Sequence, residues 1–351
     1  MAPIYLDHNA TTPLLPEAWE AMRPVLEGAF GNPSSAHHAG RQARRYLEDA
    51  RERVAALLGA HPDEVIFTSG ATEANNLAIF GLVEDNPSPG PSPLRGGEPE
   101  SSPPALFGKG AGGLGSSPGH LLAAPIEHPC VVEPLKQLAG RGFDLEWLPV
   151  TRRGHVEATA VRDRVREDTR LVCLMLANHE TGAIQPVRHV AKTLPKPIPL
   201  HCDAAQAVGK VPVDFRDLGV TTLSASAHKF RGPKGVGLLL LRRSVRLRPL
   251  FHGGHQQRGH RPGTEPVALA VGLAAALEHA VRDMDANRAK LEGLRRRLLE
   301  RLRALLPPSP LGGSSPNPPA PFPKREGGER PSCSPPRFGE GPGEGWTPGG
   351  A

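Results

Sequence analysis

The chain has 351 residues, a formal net charge of +6, 38% hydrophobic residues and only 4% aromatic ones. Its basic residues are scattered among acids along helical stretches without the aromatic interleaving of a single-strand platform, which argues against nucleic acid as a partner. No window approaches the ~20 apolar residues of a membrane span, and the absence of an apolar N-terminal signal run makes the cytoplasm the expected compartment.

Taken in chain order, the first strong element is a helix over residues 38 to 59, where Ala43, Leu47, Ala50, Val54, Leu57 and Leu58 recur at helical spacing and Gly59 suits the cap. Val65-Ile66-Phe67-Thr68 then reads as a strand, and Ser69-Gly70-Ala71-Thr72-Glu73 turns from it into a second helix. Further strands are expected at 121–124, 171–177, 199–203, 223–226 and 236–241, alternating with helical stretches, which predicts an α/β fold built on a mostly parallel sheet. A long helical region from 266 to 306 becomes arginine-rich at Leu294-Arg295-Arg296-Arg297-Leu298.

Gly and Pro number 40 each, about double the roughly 12% of an ordinary chain. They concentrate in two tracts, residues 86–119 and 307–351, whose composition lacks the apolar periodicity to offset the entropy of ordering. The expected organisation is therefore an N-terminal arm and first part of one domain (1–85), a disordered insert (86–119), the remainder of that domain with its exit helix (120–306), and a disordered tail (307–351).

Lys229 lies in Ser224-Ala225-Ser226-Ala227-His228-Lys229, just before a Gly-Pro-Lys-Gly turn, and Asp203 ends the apolar run Pro199-Leu200-His201-Cys202 with Gln206 one turn later. Neighbouring strand ends of an open α/β sheet face one crevice, so this acid and this lysine can share a ligand. Pyridoxal 5'-phosphate calls for such a pair, a lysine for the Schiff base and a carboxylate for the pyridinium nitrogen. The helix beginning at Ala71 and Thr72 offers unpaired amides and a hydroxyl to a phosphate, although the same residues in isolation are equally suited to capping.

Tyr5-Leu6-Asp7-His8-Asn9-Ala10-Thr11-Thr12-Pro13, Phe30-Gly31-Asn32-Pro33-Ser34-Ser35, Phe67 to Glu73, Ile126-Glu127-His128-Pro129, Asn178-His179-Glu180-Thr181-Gly182, Asp203 to Lys210, His228-Lys229 and Arg261-Pro262-Gly263-Thr264-Glu265 stand in that order. The set resembles the cysteine desulfurases, a branch of the class V aminotransferases with the fold-type I pyridoxal phosphate architecture. The resemblance covers about residues 4 to 84 and 120 to 305. It implies that Lys229 forms the Schiff base and shuttles the substrate proton, that Asp203 pairs with the ring nitrogen, and that Gln206 bonds the ring's phenolic oxygen. It further implies that His128 lies on the ring face, that Ala71, Thr72, Ser226 and His228 hold the phosphate, and that Thr264 reaches the phosphate of a neighbouring subunit in a homodimer. His179 stands where the family usually has an asparagine near the cofactor oxygen.

The implied activity is conversion of L-cysteine to L-alanine, with sulfur passed as a persulfide toward a sulfur-acceptor protein and iron-sulfur cluster assembly. The family's reactive cysteine sits in a mobile loop of a small C-terminal domain, and no such string occurs here. The four cysteines are Cys130, Cys173, Cys202 and Cys333. The first two are expected to be buried in apolar surroundings, the third to point away from the cofactor, and the last lies in the proline-rich tail. Impaired turnover is the expectation, with an inactive truncated homologue, or a related lyase or aminotransferase, as the competing accounts. His252, His255 and His260 read as part of a loop rather than as metal ligands.

Overall fold

The computed structural model describes residues 4–83 and 118–305. Nearly all of the two Gly/Pro-rich tracts, and Cys333, lie outside the described residues. The chain divides into two units, Met1–Gly312 and Gly313–Ala351, and every described residue belongs to the first. The described chain resumes at Pro118, so the last two residues of the expected insert are described, and the Gly119 carbonyl accepts from the Asp144 amide at 3.0 Å.

Seven strands form one sheet: β1 (Val65–Thr68), β2 (His120–Ala123), β3 (Asp144–Trp147), β4 (Thr169–Cys173), β5 (Leu200–Asp203), β6 (Thr222–Ser226) and β7 (Gly237–Leu241), in the order β1-β7-β6-β5-β4-β2-β3. The pairs from β6 through to β3 are parallel, and β7 runs antiparallel to both β6 and β1. The expected mostly parallel α/β sheet is thus present. The helices are α1 (Pro16–Gly28), α2 (His38–Leu57), α3 (Ala71–Val83), α4 (Pro129–Gly140), α5 (Ala158–Arg162), α6 (Val187–Thr193), α7 (Phe215–Leu218), α8 (Val267–Arg282) and α9 (Met284–Leu305).

Helix α2 ends as its sequence predicts, with Leu58 at the cap and Gly59 in the left-handed region at φ +63°, where a Cβ would also meet the Asp214 carboxylate. It buries Ala43, Leu47, Ala50 and Val54 in a core shared with α8 and one face of the sheet. A second core, on the other face, joins Leu77 and Ile79 of α3 to Leu121, Val131, Leu135 and Leu239. The long helical region expected from 266 to 306 is instead two helices broken at Asp283, whose side chain accepts from Arg282 at 2.8 Å. Helix α9 buries none of its residues and leaves Leu291, Leu294, Leu298 and Leu305 exposed. Among the described residues no helix is long and apolar enough to cross a membrane.

Candidate functional site

The site forms where β5 and β6 end and α3 begins. Along β5 side chains alternate, so Cys202 turns into the core while His201 and Asp203 share the opposite face. On β6 the register sets Thr222 beside His201 and Ser224 beside Asp203, and Ser226 follows on the same face at the cavity. A short helical turn, Ala227–Lys229, then carries His228 and Lys229 over the strand end. Opposite, β1 runs into Ser69-Gly70 and α3 starts at Ala71.

These elements enclose a cavity of about 530 Å³ lined by Ala71, Thr72, His128, His179, Asp203, Gln206, Ser226, His228 and Lys229, together with Cys130, Met175 and the turn at Lys234-Gly235. Nine of the ten sequence-predicted site residues therefore meet in one place. Thr264 is the exception: it is exposed and does not line the cavity within this single chain.

Asp203 is 5% exposed. Its Oδ1 accepts from the Ala205 amide at 2.9 Å and from the Ser224 hydroxyl at 3.4 Å, and its Oδ2 accepts from Asn75 Nδ2 at 2.9 Å. Lys229 Nζ donates to the carbonyls of Asn9 (2.5 Å) and Ala10 (3.0 Å). Burial pushes its amine below the ordinary lysine range, against the opposing pull of the Asp203 and Asp7 carboxylates. Lys210, four residues beyond Gln206, donates to Gln206 Oε1 and is pushed down to about 8 by burial and by the nearby Lys229 charge.

His128 caps α4, its Nδ1 accepting from the Cys130 amide at 3.1 Å. Burial lowers its pKa, as do the charges of His179 and Lys229, while Asp203 opposes them. The His128 and His179 rings meet edge to face at 5.6 Å. His179 Nδ1 is buried without a partner. An orphan beside a cavity can take its polar partner from what fills that cavity.

The residues fit a flat, anionic cofactor of the pyridoxal phosphate type. A carboxylate and an amine converge on one cavity, the first turn of a helix of 13 residues opens toward it, and a buried imidazole nitrogen awaits a bond. Gly237 keeps β7 close enough to the Ser69-Gly70 turn that a Cβ there would lie 2.6 Å from Gly70 Cα. Glu73 secures the same turn: its Oε2 accepts from the Ser69 amide at 2.7 Å and its Oε1 from Arg261 Nε at 2.8 Å. Burial alone would raise the Glu73 pKa, but these two partners bring it below its ordinary value.

Several participants carried no role in the sequence. Asn9, Ala10, Thr11 and Thr12 form a strap across the lysine turn, with Thr12 Oγ1 donating to the His228 carbonyl at 2.7 Å and Thr11 Oγ1 3.1 Å from His228 Nδ1. Asn75 and His201 support Asp203 from behind. Cys130 is buried and belongs to the second apolar core, as expected, but its sulfur also has polar neighbours: Sγ lies 2.8 Å from His128 Nδ1, 3.0 Å from Asn75 Nδ2 and 4.0 Å from Asp203 Oδ2. Burial, reinforced by the Asp203 charge, pushes its thiol up to about 12, which disfavours the thiolate form that a nucleophile needs.

The aminotransferase class-V family model matches residues 4–92 and 116–314. Cysteine desulfurase IscS of Dictyoglomus turgidum is 43% identical over 293 residues, covering 83% of this chain and 67% of that protein. The IscS-like cysteine desulfurase of Mycobacterium tuberculosis is 42% identical over 300 residues (84% and 70%), and the human cysteine desulfurase 38% over 317 residues (89% and 63%). The chain thus spans about two thirds of the length of these relatives. Among solved structures, a NifS-like protein superposes with a TM-score of 0.75 at 37% identity, covering 86% of this chain and 76% of its own. DndA from Streptomyces lividans gives 0.67 at 38% identity, with 85% and 77% covered. With the motif residues gathered at one cavity and relatives of this likeness over most of its length, the chain belongs to the class-V aminotransferase family, within its cysteine desulfurase branch.

Proposed function

We propose that the cavity binds pyridoxal 5'-phosphate and takes L-cysteine as substrate, yielding alanine and a sulfur passed on as persulfide to an acceptor protein. The observation that carries this reading is the convergence of Lys229 and Asp203 on one cavity that also receives the start of α3. A structural relative of 36% identity and TM-score 0.69, covering 79% of this chain and 73% of its own, is named as SspA in complex with cysteine, which supports the choice of substrate.

In this reading the cofactor supplies an electron sink for the substrate's α-carbon. Lys229 Nζ anchors it and then moves the α-proton, a task helped by an amine that burial already disposes to lose its charge. Asp203 holds the ring nitrogen, Gln206 and His179 bond the ring oxygen, and His128 covers the ring face. Ala71, Thr72, Ser226 and His228 receive the phosphate. Thr264 contributes to the cavity of a second subunit, and the exposed Ile4, Leu6, Phe30 and Phe251 give such a homodimer an apolar surface to bury.

The described cysteines are poorly suited to receive the sulfur. Burial lifts Cys173 and Cys202 well above the ordinary thiol range and Cys130 up to about 12. That observation favours a second reading, in which this chain binds cofactor and substrate with little turnover, unless Cys333, outside the described residues, carries the sulfur.

Titrating the purified chain with pyridoxal phosphate tests the site. A saturable visible absorbance band is expected, and Lys229→Ala should abolish it; a chain that stays colourless overturns the assignment. Sulfide release compared between the parent and Cys333→Ala then separates the two readings. Robust release lost on that substitution supports turnover through Cys333, and background release from both supports binding without turnover.

A further inference from the structure

Between α3 and the face of β5 and β6 that looks toward it, six polar side chains, five from the strands and Asn75 from the helix, interrupt an otherwise apolar interior. Asn75, His201, Thr222 and Ser224 are fully buried, Ser226 is 3% exposed and Asp203 5%. Four of them form one unbroken line: the Thr222 hydroxyl lies 2.9 Å from His201 Nδ1, His201 Nε2 lies 2.9 Å from Asn75 Oδ1, and Asn75 Nδ2 lies 2.9 Å from Asp203 Oδ2.

The polarity of this line follows from its last member. An ionised Asp203 only accepts, so Asn75 must turn its amide nitrogen toward it and its oxygen toward His201. His201 must then carry its proton on Nε2 and leave Nδ1 bare, and Thr222 must donate to that nitrogen. No member can reverse without leaving a buried polar atom unpaired. Burial pushes His201 down to about 3, which keeps the ring neutral and preserves its single proton for this use.

We propose that Thr222, His201 and Asn75 are positioning residues that fix Asp203 for the ring nitrogen of the cofactor, acting through one directional hydrogen-bond relay. The proposal rests on the reading that the cavity holds pyridoxal phosphate. Asp203 Oδ1 is already held by the Ala205 amide and the Ser224 hydroxyl, so the relay immobilises the second oxygen and supplies a donor to a charge removed from water. A carboxylate fixed at both oxygens presents its remaining lone pair in one direction only. Asn75 also donates to Cys130 Sγ at 3.0 Å, which ties the wall beneath His128 to the same line.

The test is cofactor affinity in the full chain. Asn75→Leu and His201→Leu should each raise the pyridoxal phosphate Kd by roughly ten- to a hundred-fold, the loss of a hydrogen bond to a charged group. The double variant should be no worse than Asn75→Leu alone, because His201 acts through Asn75. His201→Gln, whose amide can still donate to Asn75, should restore most of the affinity. Unchanged Kd in Asn75→Leu, with the Lys229-dependent band intact in the parent, removes the relay and leaves the cofactor reading standing. A parent protein with no such band removes both. If the variants do not fold, nitrogen-15 resonances of the parent apoprotein decide: His201 should stay neutral and Nε2-protonated from about pH 5 to about pH 9. Protonation on Nδ1, or titration within that range, overturns the relay.

Discussion

Gln257 joins two buried groups and the half-buried Glu265 through one amide, and its replacement by leucine should unfold the protein at a clearly lower temperature. Its Oε1 accepts from the Phe67 amide at 2.8 Å and from Arg51 Nη1 at 3.1 Å, and its Nε2 donates to Glu265 at 2.6 Å. The residue is 4% exposed and Arg51 2%. Gln257→Leu strands the Phe67 N–H in the core and removes one acceptor from a guanidinium that burial already disfavours, although Arg51 keeps the Val65 carbonyl and Glu48. An orphaned buried donor costs about 1 to 3 kcal/mol, and the weakened charged contact adds about 1 more, so about 2 to 4 kcal/mol is expected. For a domain of roughly this size each kcal/mol moves Tm by about 2 to 4 °C, which gives a fall of about 4 to 16 °C in a thermal melt of the apoprotein. Arg258→Gly serves as the control. Arg258 adopts φ +58°, a conformation glycine accepts without strain, and its partner Asp63 at 2.9 Å is a half-exposed ion pair. That variant should match the parent within about 2 °C, gain and loss being each on the order of 1 kcal/mol. Gln257→Leu melting as the parent does would show that the amide is not what holds the loop from 256 to 265 against β1.

Two further substitutions probe residues that contact the lining of the site, at Met175 and at Gly70. Glu127 is 6% exposed, accepts from the Met175 amide at 2.6 Å with Oε1 and leaves Oε2 unpaired; burial pushes its carboxyl up to about 8. The folded state therefore keeps a proton that the unfolded chain gives up near its ordinary value of 4.5, so this residue's contribution is fully present below about 4.5 and lost as pH rises toward about 8. Glu127→Gln should raise Tm more at pH 8 than at pH 5, and a gain that is equal at both would sink the assignment of a neutral carboxyl. Gly237→Ala should lower stability by about 1 to 3 kcal/mol, because the added Cβ meets backbone atoms of Gly70 rather than a movable side chain. It should also weaken pyridoxal phosphate binding in a spectroscopic titration, and a variant with parental affinity would show that the turn at Ser69-Gly70 does not set the phosphate end of the cavity.

How far the sequence foretold the structure depends on whether a residue's partner was close in the chain or far from it. Helix α2 and the strands β1, β5, β6 and β7 fall within one residue or two of their expected limits, since each carries its own apolar period and its own stop signal. Residues 174 to 177, expected as strand, leave the regular ladder yet keep bonds to β5, Leu174 to the His201 carbonyl and Leu176 to that of Asp203. Strand β3 was missed because Asp144-Leu145-Glu146-Trp147 buries no side chain fully and has no apolar run; it exists by pairing with β2 at the sheet edge.

The relay behind Asp203 shows where local signals end. That His201 and Asp203 share a face was available from the strand period of two, and that Asn75 lies one turn after Ala71 was available from the helical period. Neither period says that this helix face covers that strand face. The contacts join residues 126 and 128 positions apart, and only the packing of α3 across β5 and β6 brings them together. Cys130 makes the same point from the opposite side. Its flanking proline and valines predict the apolar core it joins, but not that its sulfur also meets His128, Asn75 and Asp203. A buried polar atom records a partner chosen by the tertiary structure, so the residues least legible in the sequence are those on which the charge of Asp203 depends.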